Sequence, residues 1–318
     1  MTLAELTVAE FLQLDLVPLA SAVLACVTCG LLGTLLLLTR NSMLGDAVSH
    51  AVLPGIVAGF WVTGTRAALP MVGGAIAAAL AAVALIGLVR RLARLEAGAA
   101  MGVVFSGMFA LGLVLLVRSG ADRVDLDLGC VLYGALETLI WPEATGLASL
   151  ADRAALVALP GQFLLLAAMF AVTVLALALF WKELRLAAFD PAFGAVIGFD
   201  PRPVRALLML LIAAACVAAF WAVGSILVIA ALIGPPAIAR LLTERYAAQF
   251  LLAAAAGAAI AVAGYAAAAL VPAAMGAAVG FNAAGMIAVM AGFGFALAAV
   301  ASPFRPALRR RRAAASRA

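Results

Sequence analysis

Lysine is almost absent from this chain of 318 residues: the one copy, Lys182, is followed by Glu183. No GxxxxGK[ST] loop can form around it, so the chain does not cradle and hydrolyse ATP by itself. Histidine is equally scarce, with His50 alone. Any imidazole chemistry must therefore pass through that residue, and no HExxH, GxSxG or strand-borne GxGxxG accompanies it. Charge is also sparse: 11% of residues are charged and 68% are hydrophobic. A soluble domain has roughly a quarter charged and half apolar. These deficits exclude ordinary water-soluble folding and most catalytic machinery. The default class is a multi-span membrane protein. Only four cysteines occur, and the CxxC of Cys26 and Cys29 lies within "VLACVTCGLL". That setting reads as helix packing rather than as a redox or zinc site, which needs access or further ligands.

What is present is a series of long apolar runs. About 20 such residues cross a bilayer. Nine runs qualify: 17–39, 46–63, 67–89, 99–117, 160–181, 204–222, 224–241, 247–270 and 281–300. The sixth and seventh nearly merge, with Gly224 and Ser225 as the turn, so eight spans is the other count. The fold class expected is an all-α polytopic transmembrane bundle over residues 1–302, followed by a basic tail, 303–318.

Basic residues follow alternate runs: Arg40; Arg90, Arg91 and Arg94; Lys182, Arg185, Arg202 and Arg205; Arg240 and Arg245; then the tail. Positive charge marks the cytoplasmic side. The expected topology is a cell (inner) membrane protein with the N-terminus outside and the C-terminus inside. The first 16 residues carry three acids and no Lys or Arg, unlike a cleaved signal peptide. The net charge of +5 does not argue for nucleic acid, because six of the 20 basic residues fall in the last 14 positions, where they anchor a final span. The long segment 118–159 is net acidic and is placed outside. Its part "LGCVLYGALETLIW" is too short and interrupted for a span and suits a re-entrant or interfacial segment. GxxxG pairs occur at Gly55 and Gly59 and at Gly276 and Gly280. Such spacing permits close helix approach.

The second run opens with "MLGDAVSHAVLPGIVAGF", where Asp46 and His50 stand four apart. That spacing puts both on one helix face. Two readings stand. In one, an acid in the first turn favours the helix dipole and pairs with its neighbour. In the other, a carboxylate and an imidazole at membrane depth are transient ligands for Mn²⁺, Fe²⁺ or Zn²⁺, completed by a two-fold mate. Pro54 and Gly55, one turn on, mark a helix break near that path. Glu137 in the outer segment either receives a cation at the outer mouth or is a solvated acid. In the polar connection 182–203, Asp190 caps a short helix, 191–197, that starts at Pro191 and stops at Gly198. Phe193 and Ile197 would form its apolar knob.

The block "NSMLGDAVSHAVLPGIVAGF" resembles the signature of membrane permeases of manganese, zinc and iron ABC importers. Four further blocks are similar and follow in order: "GAAMGVVFSGMFALGLVLL" (98–116), "VDLDLGCVLYGALE" (124–137), "KELRLAAFDPAFGAVIGFDP" (182–201) and "VGSILVIAALIGPPAIARLLTERY" (223–246). The resemblance covers about residues 20 to 300. It implies a type II importer permease that pairs with a second copy of itself, docks two cytoplasmic ATP-binding subunits and receives its ion from an extracytoplasmic metal-binding protein. It further implies a metal path at Asp46 and His50, ATPase coupling through Asp190, Pro191, Phe193, Ile197 and Gly198, and no permanently bound cofactor. "SHAVLPGI" leans toward manganese or iron systems over zinc. The final helices lack the threonine–glycine–alanine element common in the family, which bears on the subgroup. The rival functions are a proton-coupled secondary transporter using Asp46 and, less favoured, a membrane-embedded enzyme.

Overall fold

The computed structural model describes residues 8–39, 44–64, 68–119, 134, 136–144, 146–189, 194, 196, 199–276 and 280–302. Among these every regular element is helical. The order is α1 (Val8–Leu14), α2 (Leu16–Leu38), α3 (Leu44–Thr63), α4 (Ala68–Ala93), α5 (Ala97–Ser119), α6 (Arg153–Val157), α7 (Gly161–Leu179), α8 (Trp181–Phe189), α9 (Pro201–Val223), α10 (Ser225–Leu242), α11 (Tyr246–Ala274) and α12 (Ala283–Ala301). Two short 3₁₀ turns, Leu136–Thr138 and Leu147–Leu150, precede α6. Eight helices are long and apolar enough to cross a membrane, and α3 joins them with a shorter described apolar stretch, Ala51–Thr63. The nine runs read from the sequence thus each become a helix. The expected turn also holds: Gly224, with φ 79°, separates α9 from α10. An L side chain rarely adopts that φ.

Two features differ from expectation. The connection after residue 181 begins with a helix, α8, and α1 precedes the first span. Both are short and carry polar residues, so neither shows a run long enough to register as a span.

Helix α2 is the hub. Residues from Ser21 to Leu36 are buried on nearly every side. One face meets α10 and α11, and the opposite one meets α7 and α9. Without water to squeeze helices together, close packing of small residues holds them. A Cβ at Gly33 would collide with the carbonyl of Leu232, and one at Gly257 would lie 2.9 Å from the carbonyl oxygen of Cys26. Cys26 and Cys29 are buried free thiols in this packing, as their setting predicted. Helices α10, α11 and α12 pack against one another, while α3, α4 and α5 form a second group that meets the first through α9 and through a direct contact of α3 with α10.

The α3–α4 joint rests on the first GxxxG. A Cβ at Gly55 would strike the carbonyl of Gly74, and one at Gly59 would approach that of Pro70 to 2.5 Å. The second pair does no such work: Gly276, at φ 67°, ends α11 in a turn, and neither it nor Gly280 has an atom within 4 Å of an added Cβ. A Gly55→Leu variant should lose roughly 1–3 kcal/mol or fail to assemble, as overpacked interiors do. Gly73→Leu, whose Cβ meets open space, should melt like the parent. Thermal unfolding in detergent compares the two.

Candidate transport path and its supports

Asp46 and His50 are the third and seventh residues of α3. Their side chains lie outside the described residues. Helical register continues their stripe through Leu53 and Val57. Those two are buried with Leu116 of α5. A Cβ at Gly112 of α5 would come to 3.0 Å from both Leu53 and Pro54, so α3 and α5 approach closely there. Helix α3 runs unbroken through Pro54. The proline still removes one hydrogen bond, because it has no N–H to offer the carbonyl of His50. Gly55 serves the contact with α4 rather than a break. Among the described residues no group of three or more His, Cys, Asp or Glu could hold a metal ion.

A neighbouring face of α3 borders an apolar hollow. A hollow of about 30 Å³ lies between α3, α4 and α9, lined by Val52, Ile56, Val72, Ala75, Val217 and Phe220. Met71 and Trp221 complete the lining; the indole nitrogen keeps its proton and a thioether is a poor partner for a hard divalent ion, so such an ion would shed its water there for little return.

The segment before α6 forms a cap at one end of the bundle. A Cβ on Gly134, at φ 74°, would run into the Val223–Gly224 peptide, so the segment sits on the α9–α10 turn. Trp141 is buried. Its indole N–H donates to the carbonyl of Ala155 (2.8 Å), and its backbone N–H donates to that of Gln13 (2.8 Å). Glu137 is exposed but not merely solvated. Its carboxylate accepts the backbone N–H of Ala283 (2.7 Å) and the Asn282 amide (3.3 Å), at the N-terminus of α12. Asn282 in turn accepts from Gly285 N–H (2.8 Å), so two otherwise unpaired N–H groups are satisfied. Tyr265 donates its hydroxyl to Asp15 (2.8 Å), joining α11 to the start of α2. Sequence reasoning missed this pair. The two residues are 250 positions apart, and nothing local to either signals the other.

At the opposite end, α8 is pinned by aromatics. Trp181 lies 4.8 Å from Tyr246 and 5.0 Å from Phe250 between ring centroids, and Tyr246 and Phe250 are also 5.0 Å apart. Tilted and edge-on pairs of this kind are favourable beyond their buried area. Asp190, Pro191, Phe193, Ile197 and Gly198 lie outside the described residues. Next to them, Phe199 N–H donates to the carbonyl of Gly194 (2.9 Å). This six-to-one bond is one that closes a helix C-terminus.

A profile of the ABC 3 transport family matches residues 10–146 and 154–296. The chain belongs to that family. The manganese transport system membrane protein MntD of Bacillus subtilis is 37% identical over 246 residues, 77% of this chain and 80% of the relative. The zinc transport system membrane protein TroD of Treponema pallidum is 36% identical over 291 residues, 91% of this chain and 74% of the relative. The chelated iron transport system membrane protein YfeD of Yersinia pestis is 34% identical over 235 residues, 74% and 70%. Among solved structures, PsaBC from Streptococcus pneumoniae in complex with Fab superposes with a TM-score of 0.70 at 25% identity, covering 88% of this chain and 89% of that one. An inward-facing metal-chelate type ABC transporter shares the fold, with a TM-score of 0.61 at 15% identity. An ABC 3 permease is a membrane subunit whose ATPase is a separate chain, which agrees with the missing P-loop. The family leaves the proton-coupled reading without support.

Glu137→Ala should cost about 1 kcal/mol by uncapping α12. Glu137→Gln, which keeps an acceptor, should cost less. Melting temperatures of the three purified proteins, read side by side, check the order.

Proposed function

We propose that this permease passes a divalent transition metal ion, Mn²⁺, Zn²⁺ or Fe²⁺, inward by alternating access, with Asp46 and His50 as its transient ligands. Named relatives that carry manganese, zinc and chelated iron support the cargo class. The observation that carries the ligand assignment is the placement of the chain's one histidine on α3, four residues after an aspartate. A carboxylate oxygen and an imidazole nitrogen form a mixed set suited to these ions. One helix supplies too few ligands for a closed site, so a second copy of the chain contributes the same pair across a two-fold axis. Few ligands also suit a carrier, which must release what it binds.

Two cytoplasmic ATP-binding subunits drive the cycle, and an extracytoplasmic metal-binding protein delivers the ion. The capped end with Trp141 and Glu137 faces outward. Arg90, Lys182, Arg185, Arg240 and Arg245 mark the cytoplasmic end, which puts the N-terminus outside and the C-terminus inside. ATPase motion enters through residues 190–198. The bond from Phe199 to Gly194 supports a helix stop at Gly198.

Asp46→Ala and His50→Ala should each lower metal uptake by the assembled complex at least about tenfold, the scale on which disturbing a metal's surroundings acts, with assembly intact. Uptake of radioactive ion into proteoliposomes tests this, and parental rates in both variants would remove the ligand assignment. Phe193→Asp should leave metal binding in place while ATP hydrolysis no longer drives uptake. Coupled transport at the parental rate would exclude the 190–198 helix as the link.

A further inference from the structure

Where α4 ends, three arginines surround an open hollow. Arg90, Arg91 and Arg94 line it together with Gly87 and Leu95, and its volume is about 480 Å³. That lies within the usual range for small-ligand sites, roughly 300–1,000 Å³. Its floor is Gly87, where an added Cβ would meet no atom within 4 Å. Arg94 takes a left-handed backbone, with φ 52°, the one positive φ among the described residues other than glycine. That conformation is disfavoured for an L side chain. It turns the chain back across the helix end and brings Arg94 and Leu95 to the same hollow as Arg90 and Arg91.

Among the described residues no hydrogen bond or ion pair engages the three guanidiniums. Glu96, the nearest acid in the chain, is not part of the lining. The hollow therefore holds three permanent positive charges without a counter-ion from these residues. The carbonyl end of α4 favours their collection there, but it does not occupy the space between them. The same helix exposes Leu85 and Leu88 on the turns before the arginines and Leu92, at 76%, level with them. Helical register places these leucines beside Gly87 and Arg91 on adjoining stripes.

We propose that Arg90, Arg91 and Arg94 hold the phosphate of an anionic phospholipid whose acyl chain lies along Leu85, Leu88 and Leu92. A guanidinium fork matches phosphate oxygens two at a time. Basic clusters at a membrane boundary recruit acidic headgroups. The exposed leucines select a lipid over a free anion, because only a lipid covers charge and apolar surface together. They also set the depth: the arginines close a membrane-crossing helix at the headgroup level. The inference does not depend on which ion the permease carries.

The test uses the full chain, co-expressed with its ATP-binding subunits, extracted in mild detergent and placed in phosphatidylcholine nanodiscs with or without phosphatidylglycerol. Native mass spectrometry counts the phosphatidylglycerol retained per chain, and thermal unfolding reads its stabilising effect. The Arg90→Gln/Arg91→Gln/Arg94→Gln variant should retain phosphatidylglycerol roughly tenfold or more weakly than the parent. Gly87→Leu keeps all three charges but fills the hollow. It should also lose the lipid, while melting as the parent does in phosphatidylcholine alone. This second variant decides the matter should the triple variant fold poorly. Equal retention in Gly87→Leu and the parent overturns the proposal. So does inorganic phosphate that raises the melting temperature as much as phosphatidylglycerol, since the site would then take a free anion. Loss of ATP-binding subunits from the triple variant with lipid retention unchanged also overturns it, assigning the arginines to a protein contact.

Discussion

Backbone-to-backbone approach at small residues is the constraint on which this structure depends. In hydrocarbon, apolar side chains gain nothing by leaving lipid for protein, so the hydrophobic effect cannot hold one helix to another. Contact distance must do it. Gly33 and Gly257 bring α2 against α10 and α11, and Gly264 brings α11 against Ile287 of α12, where a Cβ would lie 2.5 Å from the Ile287 Cα. Gly55 and Gly74 do the same for α3 and α4. Each of these sites admits hydrogen and little more, and together they set which helices are neighbours.

The same physics explains what could be read from the sequence. Spans were legible because length and hydropathy are local properties, and the Gly224 turn was legible because a glycine and a serine interrupt an otherwise continuous run. Burial was not. Helix α7 exposes Leu164, Val172, Leu175 and Leu179 while burying Leu166 and Thr173. Its lipid face is as apolar as its protein face, so no periodicity distinguishes them. Glycine spacing was equally blind: the pair at 55 and 59 packs and the pair at 276 and 280 does not, because only the first lies within a helix, facing Gly74 of α4, while Gly276 sits in the turn that ends α11.

The polar contacts of the capped end were illegible for another reason. Asp15 with Tyr265, and Glu137 with Asn282 and Ala283, join residues far apart in the chain. Each looks alone like an ordinary polar residue near a span end. Asp46 and His50 were found by scarcity instead. A lone histidine four residues after an acid, at the start of an apolar run, stands out among mostly apolar neighbours. The resemblance then attached a role to the pair, and the family match covers both residues.

Helix α3 carries this pair next to a closely packed stretch. Close contacts hold this helix from Leu53 to Gly59, against α5 on one side and α4 on the other, and Ala51 and Val52 just before them are fully buried. Asp46 and His50 lie on the turns that precede this clamp. At the boundary stands Pro54, which deprives the His50 carbonyl of its helical partner. The helix is continuous there but one hydrogen bond weaker, and proline is a usual seat of helix bending. The clamped half fixes where α3 stands in the bundle, and the missing hydrogen bond falls between it and the turns that bear the acid and imidazole. For the ligand role proposed above, alternating access would ask of α3 a firmly seated stretch with a weakened ladder beside the pair, and this sequence sets one proline next to one glycine there.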